Sequence, residues 1–117
     1  MGDVDTISNF ENITAGDGND TLTGNAGVNI IHGGDGNDVI QGDAGADILS
    51  GGHNTAAGDT VSYASSVNGV VVDLSLVTAQ VSAGSDANGD VLSGFENIIG
   101  SAKADSLTGD DGNNIPR

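Results

Sequence analysis

Gly33-Gly34-Asp35-Gly36-Asn37-Asp38-Val39-Ile40-Gln41 is one of four nonapeptides that abut without a spacer, and their period decides the fold. The others are Ala15 to Thr23, Gly24 to His32 and Gly42 to Ser50. Glycine and Asp or Asn dominate the first six places of each, and the eighth is apolar: Leu22, Ile31, Ile40 and Leu49. A fixed short period of this kind marks a solenoid, in which each repeat buries its apolar residue only by stacking on its neighbours. The phrase Asp-x-apolar recurs at Asp5, Asp20, Asp38, Asp47, Asp59, Asp90 and Asp105. The apolar residue is expected on a short, inward-facing strand. The six residues before it form a turn, which glycine permits by tolerating positive φ.

If two nonapeptides make one coil, turns on the same side recur every eighteen residues, as Asp20 to Asp38 and Asn29 to Asp47 do. Asp38 to Asp59 is twenty-one, a three-residue insertion; Asp5 to Asp20 and Asp90 to Asp105 are both fifteen, a matched deletion. Coils stacked at strand spacing lie about 4.8 Å apart. Two carboxylates at that separation repel by roughly 3 kcal/mol at an effective dielectric near 20. Several such pairs would consume the net stability of a small domain, about 5–15 kcal/mol. A hard cation between the turns reverses the sign. Ca²⁺ takes six to eight oxygens in flexible geometry, and glycine-rich turns expose carbonyls; zinc asks for His or Cys, and magnesium retains water.

The totals agree. The 117 residues carry seventeen acids against two bases, a net charge of -15. Such a chain offers phosphate no basic patch, so nucleic acid and anionic membranes are poor partners and cations good ones. Aromatic residues are only 3%, so Leu, Ile and Val must supply the core. There is no cysteine to staple the fold or bind metal as thiolate. No apolar run is long enough to insert into a membrane. Two scattered histidines, His32 and His53, support no nucleophile–base–acid constellation, so catalysis is not expected. Phe10 and Phe95 read as core plugs and Tyr63 as packing that closes the repeat run.

A longer period overlays the short one. Phe10-Glu11-Asn12-Ile13 returns as Phe95-Glu96-Asn97-Ile98, eighty-five residues on, and Asp20 to Gly24 returns as Asp105 to Gly109. The chain therefore divides into repeats over 1–62, an additional segment over 63–85 and the opening of a second copy over 86–117. This suggests a piece of a larger tandem protein, with neighbouring repeat modules as partners. Within the middle segment, Gly69 to Leu76 and Val77 to Val81 read as two strands joined by a turn. Asp86-Ala87-Asn88-Gly89-Asp90 begins like an EF-hand loop, but Val91 and Asn97 stand where that loop needs glycine and glutamate.

The tandem copies resemble the repeats-in-toxin family, whose consensus Gly-Gly-x-Gly-x-Asp-x-apolar-x the stretch from Gly33 to Gln41 fits throughout. The resemblance implies an all-β fold, a parallel β-roll (a right-handed β-solenoid), with Ca²⁺ between Gly/Asp-rich turns. It also implies ligand sets. One joins Gly16, Gly18 and Asp20 to Gly33, Asp35 and Asp38. A second, expected to be weaker because Asn29 replaces Asp, joins Asn25, Gly27 and Asn29 to Gly42, Ala44 and Asp47. A third, spanning the insertion, joins Gly34, Gly36 and Asp38 to Gly51, His53 and Asp59. Further sets on the shortened coils are Asp3, Asp5, Asp17 and Asp20, and Asp86, Asn88, Asp90 and Asp105. The function implied is a calcium-binding module of a secreted bacterial protein, exported unfolded by type I secretion and folding outside on Ca²⁺. The alternative is an accessory binding domain of an adhesin or of an extracellular polysaccharide-acting enzyme.

Overall fold

Short apolar-centred strands between glycine-rich turns cannot bury themselves singly, and the computed structural model of the chain shows how they stack. The structure describes residues 6–8, 11–53, 58–76, 78–109 and 115–116. Every regular element among them is a strand: β1 (Thr6–Ser8), β2 (Asn12–Thr14), β3 (Thr21–Thr23), β4 (Ile30–Asp35), β5 (Val39–Gln41), β6 (Ile48–His53), β7 (Thr60–Ser62), β8 (Val71–Asp73), β9 (Val91–Ser93), β10 (Asn97–Ile99), β11 (Ser106–Thr108) and β12 (Ile115–Pro116).

Successive strands go to opposite faces. One sheet has the order β1-β3-β5-β7-β10-β12 and the other β2-β4-β6-β9, while β11 and β8 form a separate pair. All pairings are parallel. The expected parallel β-roll is therefore the observed fold. Register keeps the eighth places aligned: Leu22 lies beside Ile40 and Ile40 beside Val61 in one sheet. Ile13, Ile31, Leu49 and Leu92 align in the other.

These side chains meet between the sheets. Leu22, Ile31, Ile40, Leu49 and Val61 are fully buried, each contributing roughly 1.5–3 kcal/mol of apolar transfer. Phe95 joins them, as expected of a plug; Phe10 lies outside the described residues. Because the core is one residue wide per strand, a lost methyl has no second layer to cover it. Ile40→Val is expected to lower the unfolding free energy by about 1 kcal/mol, read from urea melts in calcium.

The segment between β7 and β9 corrects one expectation. Only β8 is a strand; residues 78–82 run back alongside it without forming the second. The antiparallel register survives through side chains. Gln80 accepts from the Asp73 N–H through Oε1 and donates from Nε2 to the Asp73 carbonyl, both at 2.9 Å. The Ser82 hydroxyl accepts from the Val71 N–H at 2.8 Å. Gln80 and Ser82 are buried for this purpose, while Val81 points outward, 80% exposed. The edge of β8 is thus closed by an amide and a hydroxyl rather than by a backbone ladder.

The eighty-five-residue copies also exchange faces. The segment holding β1 belongs to the six-stranded sheet, but its counterpart β9 belongs to the four-stranded one. Likewise β2 lies in the four-stranded sheet and its counterpart β10 in the six-stranded one.

Candidate metal centre

Each coil delivers its sixth-place residue to the same spot, because the glycine-rich turn before it and the strand after it are fixed in register. The result is two columns. In the first, the Asp20 N–H donates to Asp38 Oδ1 at 2.9 Å, the Asp38 N–H to Asp59 Oδ1 at 2.7 Å, and the Asp59 N–H to Glu96 Oε1 at 2.9 Å. In the second, the Asn29 N–H donates to Asp47 Oδ1 at 2.9 Å and the Asp47 N–H to Asp90 Oδ1 at 2.8 Å. Asp20, Asn29, Asp38, Asp47, Asp59 and Asp90 are all buried.

One carboxylate oxygen each of Asp38, Asp47, Asp59 and Asp90 is thereby engaged, and the other oxygen of Asp38 and Asp47 tests the fit to a cation. Asp38 Oδ2 and Asp47 Oδ2 are buried with no hydrogen-bond partner. Carbonyls of the next coil converge on the same places. A Cβ added to Gly33 would meet Asp38 Oδ2 and lie 2.6 Å from the Gly51 carbonyl oxygen. One added to Gly51 would meet the Gly94 carbonyl oxygen and lie 2.6 Å from Asp59 Oδ2. One added to Gly24 would meet Asn29 Oδ1 and lie 3.0 Å from the Gly42 carbonyl oxygen. Oxygens of two coils therefore converge, with Asp38 Oδ2 buried and lacking a donor beside the Gly51 carbonyl oxygen, a donor set suited to a hard, oxygen-seeking cation. Among the described residues no three His, Cys, Asp or Glu side chains cluster as a metal site. Each coil supplies one acid per column, so further oxygens must come from the backbone.

The electrostatics follow from burial. Burial pushes the Asp38 carboxyl above its ordinary value, opposed by the Asp20 N–H and reinforced by the charges of Asp20 and Asp35. Burial carries Asp47 up to about 8, against the Asn29 N–H and with the charges of Asp90, Asp43 and Asp86 adding to it. Asp90 rises to about 7 by burial, opposed by the Asp47 N–H and the Tyr63 hydroxyl. A carboxyl whose pKa is raised on folding stabilises the fold fully below its unfolded value and loses that contribution as pH climbs through the folded value. The metal-free chain is therefore expected to be more compact at pH 4 than at pH 8, with the loss spread between about 4 and 8. Circular dichroism in chelator across that range checks it.

The sequence-derived sets fare differently. For the first, adjacent coils bring Asp20 to Asp38 and join the Asp35 N–H to the Gly16 carbonyl at 3.1 Å. A Cβ at Gly36 would overlap the Gly18 carbonyl oxygen, so Gly18 abuts the same neighbour. For the second, Asn29 meets Asp47, and a Cβ at Gly45 would lie 2.5 Å from the Gly27 carbonyl oxygen. Asn29 Nδ2 also donates to Asn25 Oδ1 at 2.9 Å, giving this turn an internal bond that an aspartate could not make. Ala44 is exposed on the turn that carries Asp47. For the third, the insertion is absorbed: Asp38 reaches Asp59 as the others reach their partners, and Gly34 and Asp35 pair with Gly52 and His53. Asp17 is exposed on its turn. Asp3 and Asp5 lie outside the described residues.

The set Asp86, Asn88, Asp90 and Asp105 is not assembled. Asp90 joins the column of Asp47. Asp105 Oδ1 instead accepts from the Val70 N–H at 2.9 Å and from the Ser101 hydroxyl at 2.7 Å. Asp86 accepts from Ser65, and Asn88 Oδ1 from the Ser82 N–H. The reason is the intervening chain: Gln80 bonds the backbone of Asp90 and Gly89, and β8 rather than β9 receives β11.

One column member went unread in the sequence. Glu96 occupies a sixth place, and the Ile30 N–H donating to the Glu11 carbonyl at 3.0 Å puts Glu11 in the equivalent backbone position. The signal was present, since Glu-Asn-Ile is the same acid-x-apolar phrase in both copies. The interval of fifteen from Asp90 to Asp105 is thus a six-residue half-coil followed by one of nine.

No helix among the described residues is long and apolar enough to cross a membrane. No curated protein matches the chain. The RTX calcium-binding nonapeptide repeat, as a family model, matches four times, over residues 5–40, 23–53 and 90–115, which together exceed half the chain. Parallel coils, aligned sixth-place acids and these matches agree: the chain belongs to the RTX calcium-binding nonapeptide repeat family.

Proposed function

We propose that this chain is a calcium-binding module that folds when Ca²⁺ enters the gaps between coils, in a bacterial protein that reaches calcium only after export. The observation that carries the reading is the pair of buried, partnerless oxygens, Asp38 Oδ2 and Asp47 Oδ2, in a chain of net charge -15. A divalent ion supplies the positive charge these columns lack. The chain's own residues do the rest. Asp20 with Asp38, Asp38 with Asp59, Asp59 with Glu96, and Asn29 with Asp47 present oxygens to four gaps, joined by carbonyls such as those of Gly51 and Gly94. The glycines at the first place leave room for those oxygens, and the core residues hold the spacing.

Since an unfolded chain has no preformed gaps, binding and folding form one equilibrium. At cytosolic calcium the acids repel and the chain stays open, which suits passage through a type I channel. At the millimolar calcium outside, it closes into the roll. The family repeat is structural rather than catalytic, and this reading assigns no reaction. Calorimetric titration of the chelated chain, read beside circular dichroism, tests it. Heat uptake and β signal should saturate together, whereas a chelated chain already rich in β structure at neutral pH would overturn it.

A further inference from the structure

Gly69-Val70-Val71-Val72-Asp73 fills the last five places of a nonapeptide, and Ala104-Asp105-Ser106-Leu107-Thr108 fills the same places of the coil stacked on it. The register sets Val71 beside Ser106, Val72 beside Leu107 and Asp73 beside Thr108. The backbone repeats the pattern of the acid columns bond for bond. The Val70 N–H donates to Asp105 Oδ1 at 2.9 Å, as the Asp20 N–H does to Asp38 Oδ1. The Ser106 N–H donates to the Val70 carbonyl at 2.8 Å, as the Val39 N–H does to that of Asp20. The Leu74 N–H donates to the Thr108 carbonyl at 2.9 Å, as the Gly24 N–H does to that of Gln41. By these contacts Val70 stands in the sixth place, where Asp20, Asp38, Asp47 and Asp59 stand in other coils.

The geometry of the place is kept and its chemistry is changed. Val70 is fully buried and belongs to the apolar core, against which Leu74 and Leu107 also pack. Its side chain offers a cation no oxygen. Asp105 is only half-buried, and its Oδ1 takes two donors, the Val70 N–H and the Ser101 hydroxyl at 2.7 Å. With a single acid between the two coils, there is no like-charge pair for a cation to relieve. A dication there would lie against methyl groups, losing hydration without a ligand in return. The coils nevertheless meet closely, since a Cβ on Gly69 would overlap the Ala104 carbonyl oxygen. The repeat pattern around Asp105 would by itself give this gap an ion, and the residue opposite does not fit one.

We propose that the Val70–Asp105 gap takes no calcium ion and is closed by apolar packing and the hydrogen bonds of Asp105, so that β8 and β11 form a metal-independent stack within the roll. The inference rests on the calcium reading above and marks a place where that reading stops. Val70 does by packing what an ion does between Asp38 and Asp59, and Asp105 is an acceptor rather than a metal ligand.

The test is the number of calcium ions bound by the full chain, counted by native mass spectrometry and equilibrium dialysis. Asp38→Asn is expected to lose at least one ion; if it loses none, the calcium reading itself fails. Asp105→Asn keeps an acceptor for both donors and is expected to bind the wild-type number. Loss of one ion in that variant would overturn the proposal. Val70→Asp restores the second acid and, at saturating calcium, is expected to bind one ion more than the wild type. A count that does not rise would overturn the proposal, because the missing acid would then not be what bars the ion. Tyr63 is buried, it is the only tyrosine, and the chain has no tryptophan. Its near-ultraviolet dichroism therefore shows that each variant has folded before its ions are counted.

Discussion

Asp38→Asn is expected to move the metal-free and calcium-loaded states in opposite directions. Asp38 sits between two gaps of the first column, taking the Asp20 N–H on Oδ1 and donating its own N–H to Asp59. An asparagine keeps the acceptor and replaces the partnerless Oδ2 by an amide N–H₂ facing the Gly51 carbonyl. Asn29 already makes a bond of this kind, to Asn25. Without metal, the substitution removes a buried charge and supplies a donor, so the roll should gain about 1–3 kcal/mol. With metal, two gaps lose an anionic ligand. The calcium midpoint for folding should rise at least tenfold, about 1.4 kcal/mol. The β signal remaining in chelator and calcium titrations by circular dichroism measure the two shifts separately. An unchanged midpoint with an unchanged signal in chelator would contradict the column geometry.

Gly36→Ala should be among the most damaging single methyl groups in the molecule. Gly36 has φ +114°, and the added Cβ would overlap the carbonyl oxygen of Gly18 on the neighbouring coil, with its carbon at 2.6 Å. The obstacle is backbone on both sides, so no rotamer change relieves it. Left-handed strain of about 1–3 kcal/mol adds to an overpacking cost of similar size. The total is comparable with the whole stability of a small domain. Gly27→Ala is the matched control. It occupies the same fourth place, lacks positive φ, and among the described residues its Cβ would find only Asn25 Oδ1, at 3.2 Å. A loss under about 1 kcal/mol is expected there. Equal losses at the two positions would mean that coil-to-coil contact is not what selects glycine.

The contrast shows where the nine-residue period is informative. Wherever one coil rests on another in fixed register, local sequence determines the environment. Leu22, Ile31, Ile40 and Leu49 were legible as core, and Asp20, Asp38, Asp47 and Asp59 as an aligned set, because each repeats the circumstances of its neighbours. Glu96 was missed because the acid was sought as Asp, although a glutamate reaches the same N–H with a longer arm. The partner of Asp90 was missed because Tyr63 and Asp90 belong to one turn interrupted by chain with no period. There the pattern even inverts. Val81 points outward and Gln80 inward, since a buried strand edge asks for a hydrogen-bonding side chain before it asks for an apolar one. Asp43 is a smaller case. It takes φ +68° where Gly34 and Gly52 take similar values, and Gln41 and Ser65 hold its carboxylate.

The exchange of sheets between β1 and β9 has a geometric corollary for any longer run of such units. Stepping along by eighty-five residues advances the winding by an odd number of half-turns. Successive units are then related by a two-fold screw rather than by simple translation. A side branch like that at 63–85 would emerge to the left of one unit and to the right of the next. Decorations on either flank would be staggered, and only every second unit would present the same profile to a given side.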